Sequence, residues 1–258
     1  MPPALRHVVA VGVGAGDPEH MTVAAISALN NVDVIFELER ATTDLTAARE
    51  AIVRRFVQRT PPPRLVRVHE PARDRTASAY TRAVNDWRAG RADAWEAAIV
   101  SELAEGQSGA FLVWGDPSLY DSTIAVLDEL LARGRVSFEY EVIPGISSIQ
   151  ALTAAHRIPL NRVAGAVQIT TGRLLAGGGW PAGATDVVVM LDGHGAYRTA
   201  LTEPVDIYWG AYLGTPDELL VAGPLDEVAG EIDRLRETAR ERHGWIMDTY
   251  LLRSRTAE

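Results

Sequence analysis

Residues 11–22 read VGVGAGDPEHMT, and the reading of this stretch decides the fold. Three glycines, Gly12, Gly14 and Gly16, alternate behind the apolar run HVVAVGV (7–13), and Asp17 and Pro18 follow. A glycine-rich turn between a strand and a helix suggests a nucleotide loop. The dinucleotide fingerprint is G-x-G-x-x-G opening directly into a helix. Here the third glycine comes one residue early, and the next helical pattern, TVAAISALNN (22–31), starts only at Thr22, a candidate N-cap. A pyrophosphate at that N-terminus would face the like charge of Asp17, where the helix dipole favours an anion. Glu37 and Glu39 fall at the spacing of the ribose-binding acid of that fold, but without the phosphate cradle the spacing carries no weight. A loop holding an acid suits a cationic or neutral ligand, or the presentation of a carboxylate to a reacting substrate. The other reading is that the glycines only make a tight turn.

Outward from this loop, β-branched apolar runs alternate with helical patterns. VDVIFEL (32–38), RLVRVHE (64–70), GAFLVWG (109–115) and SFEYEVI (137–143) read as further strands. Helices are expected over 44–59, starting at Asp44, and over 76–106 in two pieces around Gly90. Another covers 121–134, with Ile124, Leu127 and Leu131 on one face and Gly134 as its stop. Five strands with helices between them predict a mostly parallel sheet. Pro144–Gly145 in IPGISS (143–148) then breaks the rhythm, and Ser147 is placed to cap a new helix. We therefore expect an N-terminal domain over 1–144 and a C-terminal domain over 145–258. In the second, AVQITT (166–171), DVVVML (186–191), VDIYWGAY (205–212), ELLVAGP (218–224) and WIMDTYLLR (245–253) are candidate strands, several with no helix between them. One long helix stands out, with Val228, Ile232, Leu235 and Ala239 on one face before Gly244. The glycine cluster AGGGWPAG (176–183) reads as a loop. The fold class is α/β: two α/β domains, the first around a five-stranded mostly parallel sheet and the second around a mixed sheet.

The totals exclude several chemistries. The chain has 258 residues, enough for one large domain or two ordinary ones. There is no cysteine, which removes disulfides, iron–sulfur clusters, zinc ribbons and thiol catalysis. All 25 basic residues are arginine, so neither a Schiff-base lysine nor a P-loop is available. Anionic groups must be held by Arg forks, backbone N–H groups or helix N-termini. A net charge of −9 argues against nucleic acid as a partner. No apolar run reaches the length of a membrane span, and no signal-peptide pattern precedes the first valine run, so a cytoplasmic setting is expected.

Four stretches together carry a family resemblance. VGVGAGDPEHMTVAAISALNNVDVIF resembles the opening signature of the tetrapyrrole methylase family. VWGDPSLYDST (113–123) resembles its second signature, VIPGISSIQ (142–150) its third, and LGTPDELLVAG (213–223) the Gly-Thr motif of its second domain. They span nearly the whole chain in the expected order. HRIPLNR (156–162), QITTGRLL (168–175), MLDGHGAYRT (190–199), DIYWGAYLGTPDE (206–218) and ARERHGWIMDTYLLR (239–253) are similar to the branch that couples methylation of precorrin-5 to loss of acetate. One departure falls after the second strand, where Glu39-Arg40 stands in place of a Lys-Gly pair.

The resemblance implies a methyltransferase that binds S-adenosylmethionine (SAM) in a folded shape between two α/β domains and releases S-adenosylhomocysteine. It implies cofactor contacts at Ala15, Trp114, Gly115, Asp116, Leu119, Ser147, Ser148, Leu191, Tyr212 and Trp245. Asp116 has a second reading, a turn or capping role before Ser118. The implied substrate is a tetrapyrrole, and the implied assembly a homodimer. The implied reaction is methylation at C-1 with loss of acetate, which needs a base for the attacking water and an oxyanion donor. Asp17 is the first candidate base; its other reading is a carboxylate that caps the Thr22 helix. Glu39, Tyr120, Asp192 and His194 follow, the last as a proton relay. Asp192-x-His194 lacks the further ligands of a metal site, and no metal is expected. Arg40, Arg73, Arg157, Arg162, Arg173 and Arg198, in loops or at element ends, are candidates for the substrate carboxylates, ahead of the helix-face Arg54 and Arg236. Another family substrate, or a SAM-binding homologue without activity, is the alternative.

Overall fold

The computed structural model of the chain describes residues 4–39, 43–71, 80–201 and 204–256. By its contacts the chain divides into two compact units. One holds the residues up to Gly14 and Pro18–Ser147; the other holds Ala15–Asp17 and the residues from Ser148 onward.

The first unit is built on five parallel strands, β1 (Arg6–Gly12), β2 (Val34–Glu39), β3 (Arg64–His69), β4 (Ser108–Val113) and β5 (Phe138–Ile143), in the order β3-β2-β4-β1-β5. Strands β1 and β4 lie inside the sheet and read as nearly continuous apolar runs, because both of their faces are covered. The edge strand β3 keeps mostly exposed side chains. One face packs α1 (Val23–Asn31) and α2 (Thr43–Phe56) through Ala25, Leu29, Ile52 and Val53. The other packs α3 (Tyr80–Glu102) and α4 (Thr123–Arg133), where Trp95 stacks on Phe111 at 4.0 Å and Phe111 on Phe36 at 4.6 Å. Thr22 caps α1 as expected: its Oγ1 accepts the Ala25 N–H at 3.0 Å. Gly134 ends α4 in the left-handed conformation, φ 64°.

Two expectations need correction here. The segment expected as two helices around Gly90 is one helix, α3, across that glycine. Gly90 is small because a Cβ there would come 3.0 Å from the Pro71 ring, so close packing and not a break explains it. In α4 the buried positions are Thr123, Val126, Leu127 and Leu130, while Leu131 is exposed. TIAVLDELL offers two apolar stripes one residue out of step, and packing against α3 selects the stripe that the spacing alone left undecided.

The second unit has a five-stranded mixed sheet of β6 (Val167–Thr171), β7 (Asp186–Met190), β8 (Val205–Ala211), β9 (Leu219–Pro224) and β10 (Asp248–Ser254), in the order β6-β7-β10-β8-β9. Only β6 and β7 run parallel; the other pairs are antiparallel. The long helix α7 (Leu225–His243) covers one face, ends at Gly244, and buries Leu225, Ala229, Ile232, Arg236 and Ala239. α5 (Ser148–His156) lies close on β8: a Cβ on Gly210 would come 2.8 Å from the Leu152 side chain. A further short helix, α6 (Gly172–Gly178), corrects the loop expected from Ala176: the first glycines of the cluster are its last turn, behind the Thr171 cap. Trp245, expected in the last strand, lies in the turn before β10, one of the three residues between Gly244, which stops α7, and Asp248.

Candidate active site

In the first unit the three signature motifs meet at the carboxyl ends of β1, β4 and β5, the end where open α/β sheets bind ligands. What joins them is backbone packed on backbone. A Cβ on Gly145 would stand 2.1 Å from the Gly115 carbonyl oxygen and 2.9 Å from Gly12 Cα; a Cβ on Gly12 would stand 2.6 Å from the Gly145 nitrogen. Gly14, at φ 85°, pairs with Gly115 through two backbone hydrogen bonds of 2.8 and 3.3 Å. The glycines are thus required by close approach of three loops as well as by a turn.

Asp116 ties two of these loops together. Its carboxylate accepts the Gly145 N–H at 2.9 Å and the Ser118 N–H at 2.8 Å, with the Ser118 hydroxyl as a further donor. Burial pushes its pKa upward, but these hydrogen bonds outweigh burial and hold it below the usual carboxylate value. The turn role before Ser118 is therefore filled. Trp114 is half-buried against the core under α1 and α2. Leu119 closes the turn, its N–H on the Asp116 carbonyl at 3.2 Å, and Tyr120 follows in the left-handed region at φ 51° with its side chain exposed. Ser147, the residue before α5, is buried. Glu39 ends β2, and its side chain, like Arg40 and Arg73, lies outside the described residues.

Ala15–Asp17 belong to the second unit and explain the early third glycine. A Cβ on Gly16 would stand 2.3 Å from the Leu213 carbonyl oxygen, and one on Gly214 would stand 2.7 Å from the Asp17 nitrogen. Ala15 is buried. The Gly-Thr motif is a tight turn of its own: Thr215 Oγ1 donates to the Tyr212 carbonyl at 2.7 Å, and Glu218 accepts the Gly214 N–H at 2.7 Å. The side-chain cap of α1 is Thr22, which accepts the Ala25 N–H.

Elsewhere in the second unit the structure pairs several of the expected residues. Ser148 accepts the Thr249 hydroxyl at 3.1 Å. Tyr212, at φ 50°, donates its hydroxyl to the Trp245 carbonyl at 2.6 Å, and the two rings meet edge to face. Leu191 stands one residue past β7 at φ 54°, with its side chain 65% exposed. Left-handed conformations at non-glycine residues are costly and collect at functional sites. Among the described residues five non-glycines adopt one, and Tyr120, Arg157, Leu191 and Tyr212 are four of them. The candidate arginines differ in their engagements. Arg198 binds Asp233 and donates to the His194 carbonyl at 2.9 Å, and Arg162 reaches the Thr185 carbonyl at 3.2 Å and buried Asp186 at 3.7 Å. Arg157 and Arg173 are exposed. His194 is exposed on a pocket of about 480 Å3 that it shares with Arg198, Asp233, Arg236 and Arg240.

The family model for Tetrapyrrole (Corrin/Porphyrin) Methylases matches residues 7–229. The chain belongs to that family. It is 48% identical over 251 residues to a protein of Sinorhizobium sp named precorrin-6A synthase [deacetylating], covering 96% of this chain and 95% of that one. It is similar to the crystal structure of a putative cobalamin synthesis related protein, CobF, from Corynebacterium diphtheriae, with a TM-score of 0.84 and 37% identity over 97% of this chain and 99% of that one. A uroporphyrin-III C-methyl transferase from Thermus thermophilus, solved with S-adenyl homocysteine, shares the fold at a TM-score of 0.57 and 21% identity, covering 95% and 91% of the two chains.

Two groups of residues escaped the sequence reading of this tetrapyrrole methylase. Arg236, set aside as a helix-face arginine, is 2% exposed and pairs with buried Asp248. Its signal was present: it falls in step with Leu225, Ala229, Ile232 and Ala239 on the apolar stripe of α7. Asp248 accepts the Trp209 indole N–H at 2.8 Å as well. The second group is Arg91 on α3, which donates to Glu70 at 2.6 Å and to the Ser122 hydroxyl, beneath the loop that carries Tyr120. Trp95 adds its N–H to Glu70 at 3.0 Å. No spacing in the sequence links residues 70, 91 and 122.

Proposed function

We propose that this chain is a SAM-dependent C-methyltransferase that methylates precorrin-5 at C-1 and releases acetate, giving precorrin-6A. The observation that carries this reading is the 48% identity over 96% of the chain to the precorrin-6A synthase [deacetylating] of Sinorhizobium sp. The site fits the cofactor chemically. The loop at Gly12–Gly16 offers glycine backbone and an acid in place of a phosphate clamp, which suits a sulfonium cation and not a pyrophosphate. When bound, SAM supplies a methyl group activated on sulfur. Ala15, Trp114, Gly115, Asp116, Leu119, Ser147, Ser148, Leu191, Tyr212 and Trp245 are the proposed cofactor residues, on the family resemblance.

The chain's own residues then have two tasks. Positioning the ring carbon in line for methyl transfer is the first, and geometry does most of that work. Acetate release is the second: water attacks the acetyl carbonyl, a base takes its proton, and the bond to the ring carbon breaks with its electron pair left on the ring. Asp17 is the proposed base, with Glu39 and His194 as further candidates. Tyr120 suits the other role. Its exposed hydroxyl is a hydrogen-bond donor for the developing oxyanion, and partial desolvation shifts the phenol above its ordinary value. Arg40, Arg157, Arg162, Arg173 and Arg198 are the proposed holders of the substrate carboxylates. A cytoplasmic homodimer without a metal completes the reading, on the family resemblance. The test is methyl transfer from labelled SAM to a panel of enzymatically made precorrins. Precorrin-5 should be the substrate turned over; turnover of a different precorrin with none of precorrin-5 would overturn the assignment.

A further inference from the structure

The turn after β7 is held far more firmly than a surface loop requires. Asp192 saturates it from within: Oδ1 accepts the N–H groups of His194 at 3.0 Å and Gly195 at 2.9 Å, and Oδ2 accepts Ala196 N–H at 2.6 Å and the Tyr250 hydroxyl at 2.8 Å. The backbone is held from outside as well. Arg236 donates to the Asp192 carbonyl at 2.8 Å, and Arg240 donates to that of Gly193. Arg236 is fixed in turn by Asp248, under Trp209. Even the neighbouring helix makes room: a Cβ on Gly172, the first residue of α6, would fall 2.5 Å from the Asp192 carboxylate. Yet the side chain at the head of this turn, Leu191, is exposed in a left-handed conformation. A buried carboxylate with four donors, three from its own turn and one from β10, is a device for holding one backbone conformation, and the strained, exposed leucine is what it holds.

We propose that Asp192, Tyr250 and Arg236 are positioning residues for cofactor binding: they fix the backbone at Leu191, so that its side chain and carbonyl are ready against the ligand before it arrives. This rests on the reading above that Leu191 is a cofactor residue. Asp192 is then not a base, since its carboxylate is already engaged by three N–H groups of the turn and the Tyr250 hydroxyl.

The test is the affinity for S-adenosylhomocysteine by calorimetry, with thermal unfolding in parallel and the KM for SAM measured separately from kcat. Asp186→Asn is the comparison. Asp186 is also buried, binds Arg253 at 2.5 Å, and sits at the start of β7, the far end from the turn. Asp192→Asn should weaken binding at least tenfold and raise KM more than it lowers kcat. Tyr250→Phe, which removes one hydrogen bond and keeps the ring in the core, should weaken binding about threefold. Asp186→Asn should lower the melting temperature and leave the affinity within twofold. The proposal is overturned if both site variants bind within twofold of the parent chain, or if Asp186→Asn weakens binding as much as they do. Should Asp192→Asn not fold, Tyr250→Phe decides alone. A parent chain that does not bind S-adenosylhomocysteine overturns the functional reading and this inference with it.

Discussion

Single glycines decide whether the signature loops can meet. Gly12, Gly115 and Gly145 are the contact itself, since any side chain at Gly145 would enter the space of the Gly115 carbonyl and the Gly12 backbone. Neither neighbour is a flexible side chain that can swing away. Gly145→Ala should therefore destabilise the protein at the upper end of the overpacking range, about 3 kcal/mol, in urea unfolding. Gly177 has nothing within 4 Å of a built Cβ and lies inside α6. Gly177→Ala should be neutral or stabilising by up to about 1 kcal/mol, the difference in helix propensity. Equal effects of the two substitutions would contradict the account. The comparison also shows what the sequence made legible at this scale. That Gly12, Gly14 and Gly16 mattered was readable from their alternation and from Asp17. Which backbone each one admits was not, because Gly145, Leu213 and Gly214 lie more than a hundred residues away.

At the scale of elements, α7 and β10 carry a polar layer inside an apolar face. Burial lifts the Asp248 carboxyl to about 6, against the pull of Arg236 and the Trp209 N–H. The unfolded chain loses that proton near 3.8, so between about 3.8 and about 6 the folded state holds more protons. Stability from this group then falls as pH rises through that window and is flat above it. Asp248→Asn removes the titration. In urea unfolding at pH 4.5, 5.5 and 6.5, the parent chain should lose stability relative to Asp248→Asn by up to about 1.4 kcal/mol per pH unit. Parallel pH profiles would contradict the assignment. Most elements were readable in advance, since strand and helix periods, the Thr22 cap and the Gly134 stop are local signals. The failures were of another kind. Gly90 looked like a break but packs on Pro71, and TIAVLDELL offered two faces between which only α3 chooses. The polar layer was hidden because Arg236 and Asp248 acquire their meaning only when α7 crosses the sheet.

For the whole molecule, the proposed function asks a chain of net charge −9 to hold a substrate rich in carboxylates, and it has only arginine to do so. Two of the candidate arginines, Arg162 and Arg198, are tied to Asp186 and Asp233, so exposed Arg157 is the position where substitution should act on substrate affinity first. The central claim joins two chemical events, methylation at C-1 and loss of acetate. It is tested most directly by the ratio of the two products in one reaction. Incubated with enzymatically made precorrin-5 and methyl-labelled SAM, the protein should release one acetate for each labelled methyl group that enters the macrocycle. Methylation with no acetate, or acetate well out of proportion to methyl, would contradict it.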